Sequence, residues 1–118
     1  MSATNESFPA FVARAMRSPD PVARLRERIA DARLDADERE RLRAIDEDGF
    51  RIAALLVAKL RFERLMQGSP LVARGFAIDA RAFADVFREY HEQVPMTSPM
   101  PWEEGKTFEN WARRQANA

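Results

Sequence analysis

Proline, with the small polar residues beside it, cuts this chain into short segments whose apolar residues recur at helical spacing. Ser18-Pro19-Asp20-Pro21, Gly68-Ser69-Pro70 and the trio Pro95, Pro99 and Pro101 are the punctuation. Proline lacks a backbone donor and biases its predecessor away from αR, so it closes one helix and is tolerated in the first turn of the next. Between these breaks the apolar residues recur every three or four positions, the period of a helix with one buried face. The fold class predicted is mainly α: a single domain over 1–118, with five or six helices.

Phe8, Phe11, Val12, Ala15 and Met16 share one face and predict a first helix over 8–16, preceded by a flexible polar stretch over 1–7. Asp20 as N-cap and Pro21 as first helical residue predict a second helix over 22–33. Its apolar stripe, Val22, Leu25 and Ile29, is narrow. Asp35, with Glu38 three residues later, marks another start. The helical pattern then crosses Asp46-Glu47-Asp48-Gly49, where one bent helix and two helices meeting near Gly49 fit equally. Glycine in a helix interior costs about 1 kcal/mol relative to alanine, and Asp48 is a competent cap.

Residues 50–66 are apolar over more than half the helical circumference and are predicted to be the central helix, with Leu56 and Leu60 in its packed interior. The stretch 71–78 contains Gly75 and reads as a minor β element or an extended loop. Asp79 caps a helix over 80–92 with Phe83, Val86, Phe87 and Tyr90 as its stripe. Residues 94–102 read as an extended Pro-rich segment, with Met96 and Met100 between the prolines. A short last helix from Trp102 or Glu103 to about Arg114 carries Phe108 and Trp111.

The chemistry-bearing residues are few. Lys and Arg number 19 and Asp and Glu 19, so the formal charge is zero, against the basic excess of a protein built to grip phosphate backbones. There is no Cys and one His, which removes zinc and iron–sulfur ligand sets, disulfides and Cys nucleophiles from this chain. The glycines at 49, 68, 75 and 105 are isolated, so no phosphate-cradling loop is formed. His91 reads as a residue near a helix C-terminus, favoured there by the dipole. Glu103 and Glu104 are adjacent, hence about 100° apart on a helix, and read as first-turn acids. No catalytic, cofactor-binding or metal-ligating residue is expected, and the chain is not expected to be an enzyme. The polar N-terminal residues carry no apolar h-region, and the apolar stretch over 52–60 is interrupted by Lys59 and falls far short of the ~20 residues that cross a bilayer. No membrane partner and a cytoplasmic location are expected.

A binding module remains. Residues 35–49 hold seven acidic and three basic side chains, a solvated helix start or an acidic patch for a basic partner. The end of the chain offers the stronger surface. Aromatic and Met residues are enriched in interface cores, and Tyr90, Met96, Pro99, Met100, Pro101, Trp102, Phe108 and Trp111 are the candidate partner-binding residues.

Phe87-Arg88-Glu89-Tyr90, Pro95, Pro99, Glu104-Gly105, Phe108 and Trp111 resemble a pattern in small accessory proteins of multinuclear non-heme iron-dependent oxidative enzymes. Those enzymes modify Cys residues of ribosomally made precursor peptides, in pathways of the 3-thiaglutamate or methanobactin type. Residues 61–68, Arg61-Phe62-Glu63-Arg64-Leu65-Met66-Gln67-Gly68, are similar to an upstream segment of the same proteins. The resemblance implies a non-catalytic subunit that binds a separate TIM-barrel iron enzyme and helps present a Cys-containing precursor peptide. The iron would then belong to that enzyme. Proteins of these pathways often bind a leader peptide on a sheet edge, and this sequence offers only the weak element at 71–78. The alternative is a free-standing helical regulatory or nucleic-acid-binding domain.

Overall fold

The computed structural model describes residues 6–118, and these contain seven helices and no strand. They are α1 (Phe8–Met16), α2 (Pro21–Ile29), α3 (Ala36–Arg43), α4 (Glu47–Gly68), α5 (Pro70–Ile78), α6 (Ala80–Gln93) and α7 (Pro101–Ala116). The all-helical class is as predicted, with seven helices in place of five or six.

The caps explain the boundaries. Side-chain oxygens of Ser7, Asp20, Ser69 and Asp79 each accept the backbone N–H three residues on, at 3.2, 3.1, 3.3 and 3.0 Å. Each such bond satisfies an orphan donor and is worth about 1 kcal/mol. Pro follows the cap directly in α2 and α5. That arrangement corrects the reading of 71–78: Ser69 and Pro70 start a helix there, and no β element forms. The ambiguity at Gly49 also resolves. The break lies at 44–46, and Asp46 rather than Asp48 supplies the cap, its Oδ2 accepting the Gly49 N–H at 2.8 Å. The second helix ends at Ile29, four residues early, and the Pro-rich segment is non-helical only as far as Met100, because Pro101 and Trp102 already belong to α7. Of the stretch expected to be flexible, Glu6 and Ser7 are held by side-chain bonds, and residues 1–5 lie outside the described residues.

Packing falls into two compact units, divided between Val57 and Ala58. The first has a core of Phe11, Ala15, Val22, Leu25, Leu34, Leu42 and Phe50. The second has a core of Leu65, Val72, Phe87, Tyr90, Phe108 and Trp111. Helix α4 contributes its first half to one and its second half to the other.

The prediction that residues 50–66 form a helix surrounded by the others is corrected. Along α4 the buried residues are Phe50, Ala54, Arg61 and Leu65, whereas Ile52 (58%), Leu55 (67%), Leu56 (55%) and Leu60 (58%) are exposed. At 100° per residue the two sets lie on opposite faces. An arginine therefore sits where an apolar residue was expected, and leucines sit outside.

Candidate functional site

The side chain that organises the C-terminal unit is Arg61, which is fully buried. Its guanidinium meets the Glu104 carboxylate as a fork, Nε to Oε1 and Nη2 to Oε2, both at 3.1 Å. Nη1 donates to the Val94 carbonyl at 2.7 Å and lies 3.2 Å from His91 Nδ1. The cation also stands 4.4 Å from the centre of the Tyr90 ring. Tyr90 donates its hydroxyl to Glu104 Oε2 in a very short bond, and Arg64 Nη2 reaches Oε1 at 3.4 Å. Elements distant in sequence, α4, α6 and α7, are thus tied at one carboxylate.

Electrostatics follow from this wiring. Burial pushes the Glu104 carboxyl upward, but hydrogen bonds from Arg61 and Tyr90 and the charges of Arg61 and Arg64 outweigh it, so it sits below the ordinary carboxylate value. Burial first, and the Glu104 bond second, push the Tyr90 phenol well above its usual range. Both groups keep their neutral-pH states. A fork-shaped bidentate pair of this kind is stable in a low-dielectric interior only when its remaining lone pairs are satisfied, as Tyr90 and Arg64 do here.

Two glycines bring the backbones close enough for this network. A Cβ on Gly68 would stand 1.7 Å from the Pro101 carbonyl oxygen, and one on Gly105 would stand 2.3 Å from the Gly68 carbonyl oxygen. Ser69 Oγ, also buried, donates to Glu109 at 2.6 Å, and Trp111 Nε1 donates to Gln93 at 3.0 Å. Tyr90, Phe108 and Trp111 pack edge-on or tilted with ring centres 5.0–5.8 Å apart, geometry that aromatic pairs prefer.

The eight residues expected to bind a partner therefore separate into two groups. Tyr90, Phe108 and Trp111 are core, and their assignment to a docking surface is corrected: their rings fill the space around Glu104 and its neighbours. Met96 (39%), Met100 (43%) and Trp102 (62%) are exposed, Pro99 is exposed, and Pro101 is partly buried where it meets Gly68. Beside them lies an open depression of about 340 Å³ lined by Arg64, Met96, Thr97, Ser98 and Pro99. Arg64 Nη2 also approaches Met96 Sδ at 3.7 Å, so the start of the Pro-rich segment is anchored to the network.

Sequence reasoning missed the network's key members. Glu104 is not a solvated first-turn acid, and His91 is buried and stacked on Phe87 with ring centres 5.5 Å apart. The available signal was Arg61 on the face shared by Ala54 and Leu65. Among the described residues no cluster of three or more His, Asp or Glu side chains is placed to hold a metal ion. No described helix is long and apolar enough to cross a membrane.

No family model, curated protein or solved structure matches this chain.

Proposed function

We propose that this chain is a non-catalytic partner subunit that docks through the Met96, Met100 and Trp102 surface. The observation that carries the reading is the exposure of these three apolar side chains on a backbone that is tethered rather than free. Trp102 lies in the first turn of α7, which is fixed by the Gly68–Pro101 approach and by Glu104 two residues later. An apolar anchor on a pre-stiffened segment loses little freedom on binding, so more of its burial becomes affinity.

The class of partner comes from the resemblance: a TIM-barrel multinuclear non-heme iron enzyme acting on a Cys-containing ribosomal precursor peptide. The clustering of Arg61, Gly68, Tyr90, Glu104, Gly105, Phe108 and Trp111 supports this reading, since the residues that carry the resemblance act together as one scaffold. In the reaction this chain positions a partner and moves no atoms.

Trp102→Ala tests the reading. Calorimetry against the iron enzyme encoded beside this chain's gene is expected to show binding weakened by about 2 kcal/mol or more, a hot-spot magnitude. The melting temperature of the isolated variant is expected to change little. Unchanged affinity for that enzyme, or a gene neighbourhood without such an enzyme, contradicts the proposal.

A further inference from the structure

Helix α4 carries an apolar face that nothing in the described residues covers. Ile52, Leu55, Leu56 and Leu60 are each more than half exposed. They lie within one continuous helix, Glu47–Gly68, on the side opposite Phe50, Ala54, Arg61 and Leu65. Together they expose about 450 Å² of largely apolar surface, at the upper end of what a monomer ordinarily leaves in water.

We infer that this face is the contact between two copies of the chain, packed antiparallel across α4 with a two-fold axis passing at Leu56. Self-complementarity is the first argument. Ile52, Leu56 and Leu60 are spaced by four residues and form one i±4 ridge, the kind that interdigitates with its own copy in the commonest class of helix packing. A two-fold at Leu56 sets each Ile52 against the partner copy's Leu60 and closes the contact as an isologous pair. Area is the second argument. Interfaces are about 60–65% apolar, so an apolar patch of this size implies about 700 Å² buried per copy, close to the ~800 Å² of a stable complex.

Charge agrees with the antiparallel sense. Asp48, with its side chain 85% exposed, precedes the ridge, and Lys59, 72% exposed, stands in its second half beside Glu63. Reversing one helix brings the acidic first turn of each copy alongside the half that holds the partner copy's Lys59. It also sets opposite dipole ends together.

The absence of Cys makes the test direct. In the full chain, Leu56→Cys places one thiol on the two-fold, and mild oxidation is expected to convert it to a disulfide dimer at least tenfold faster than Leu71→Cys. Leu71 is equally exposed, at 55%, on α5. Sedimentation equilibrium of the unmodified chain is expected to give a dimer, and Leu56→Glu a monomer of unchanged helix content. A monomeric unmodified chain overturns the inference, as does a dimer that survives Leu56→Glu or equal oxidation rates for the two Cys variants. A chain that is monomeric alone but whose binding to the iron enzyme is abolished by Leu56→Glu assigns the face to that enzyme, and equally overturns it. This inference is independent of the Trp102 surface, whose test reads a different binding event.

Discussion

Both units bury an arginine, and the two arginines are held differently. Arg28, in the N-terminal unit, lies over the Phe11 ring at 4.5 Å, donates to the Glu6 carbonyl at 2.8 Å and pairs with the carboxylates of Glu6 and Glu38 at 3.4 and 3.1 Å. Its side chain is 2% exposed, while those of Glu6 and Glu38 are 23% and 19% exposed. Arg61, in the C-terminal unit, is 0% exposed and its main partner, Glu104, is 3% exposed. Water still reaches the carboxylates of the first pair and does not reach the second. A cation whose counter-charge stays partly hydrated tolerates the loss of one partner, because solvent replaces it. A cation paired inside the core has no substitute. The N-terminal unit is thus an apolar core with a charged margin, and the C-terminal unit is an aromatic core with a charge pair at its centre.

The largest expected effect breaks that comparison at its strong end. Glu104→Gln keeps the shape and removes the charge facing Arg61, and is expected to cost about 3–5 kcal/mol, the range for an orphaned buried partner. Glu38→Gln is expected to cost about 1 kcal/mol, as for a partly solvated pair. Urea denaturation of both variants measures the difference, and equal losses would erase the distinction between the units.

Acid should act on the same group. The folded-state value of Glu104 is depressed, so the unfolded chain binds the proton more readily. The stability this contributes is complete above the ordinary Glu value of 4.5 and is lost as pH falls through the lower folded value. Glu6, depressed first by its bond from Arg14, adds a contribution of the same sign. Glu104→Gln is expected to flatten the acid limb of the stability curve. An acid limb identical to that of the unmodified chain would place the titration elsewhere.

A smaller effect separates two glycines. Gly105→Ala drives a methyl against the Gly68 backbone, which cannot move without parting α7 from α4, and is expected to cost about 1–3 kcal/mol. Gly49→Ala meets only the flexible end of the Asp46 side chain, at 2.8 Å, and gains helix propensity, so a change within about 1 kcal/mol of zero is expected. Thermal melts of the pair check this.

What could be read from the sequence follows from where the information lies. Helix starts at Asp20, Asp35 and Asp79 were legible because a cap is a local event, completed within two or three residues. Ser69-Pro70 carried the same signal and was obscured by the β-prone residues that follow. The inward face of α4 was not legible, since more than half its circumference is apolar and its composition cannot rank two faces. That choice is made by Glu104, 43 residues from Arg61, and by the Gly68–Gly105 approach. The candidate surface was half legible for the same reason. Tyr90, Phe108 and Trp111 have the composition of an interface, and the rings that pack on one another place them in the core instead.

The central claim is that the aromatic, charged heart of the C-terminal unit is scaffold and that Trp102 is the surface it presents. The chain has two tryptophans, and one can be kept at a time. Acrylamide quenching of the Trp111→Phe variant, which reports Trp102 alone, is expected to be strong, with red-shifted emission. The Trp102→Phe variant, reporting Trp111 at 4% exposure, is expected to quench weakly with blue-shifted emission. Similar quenching of the two, or a shielded Trp102, would contradict the account.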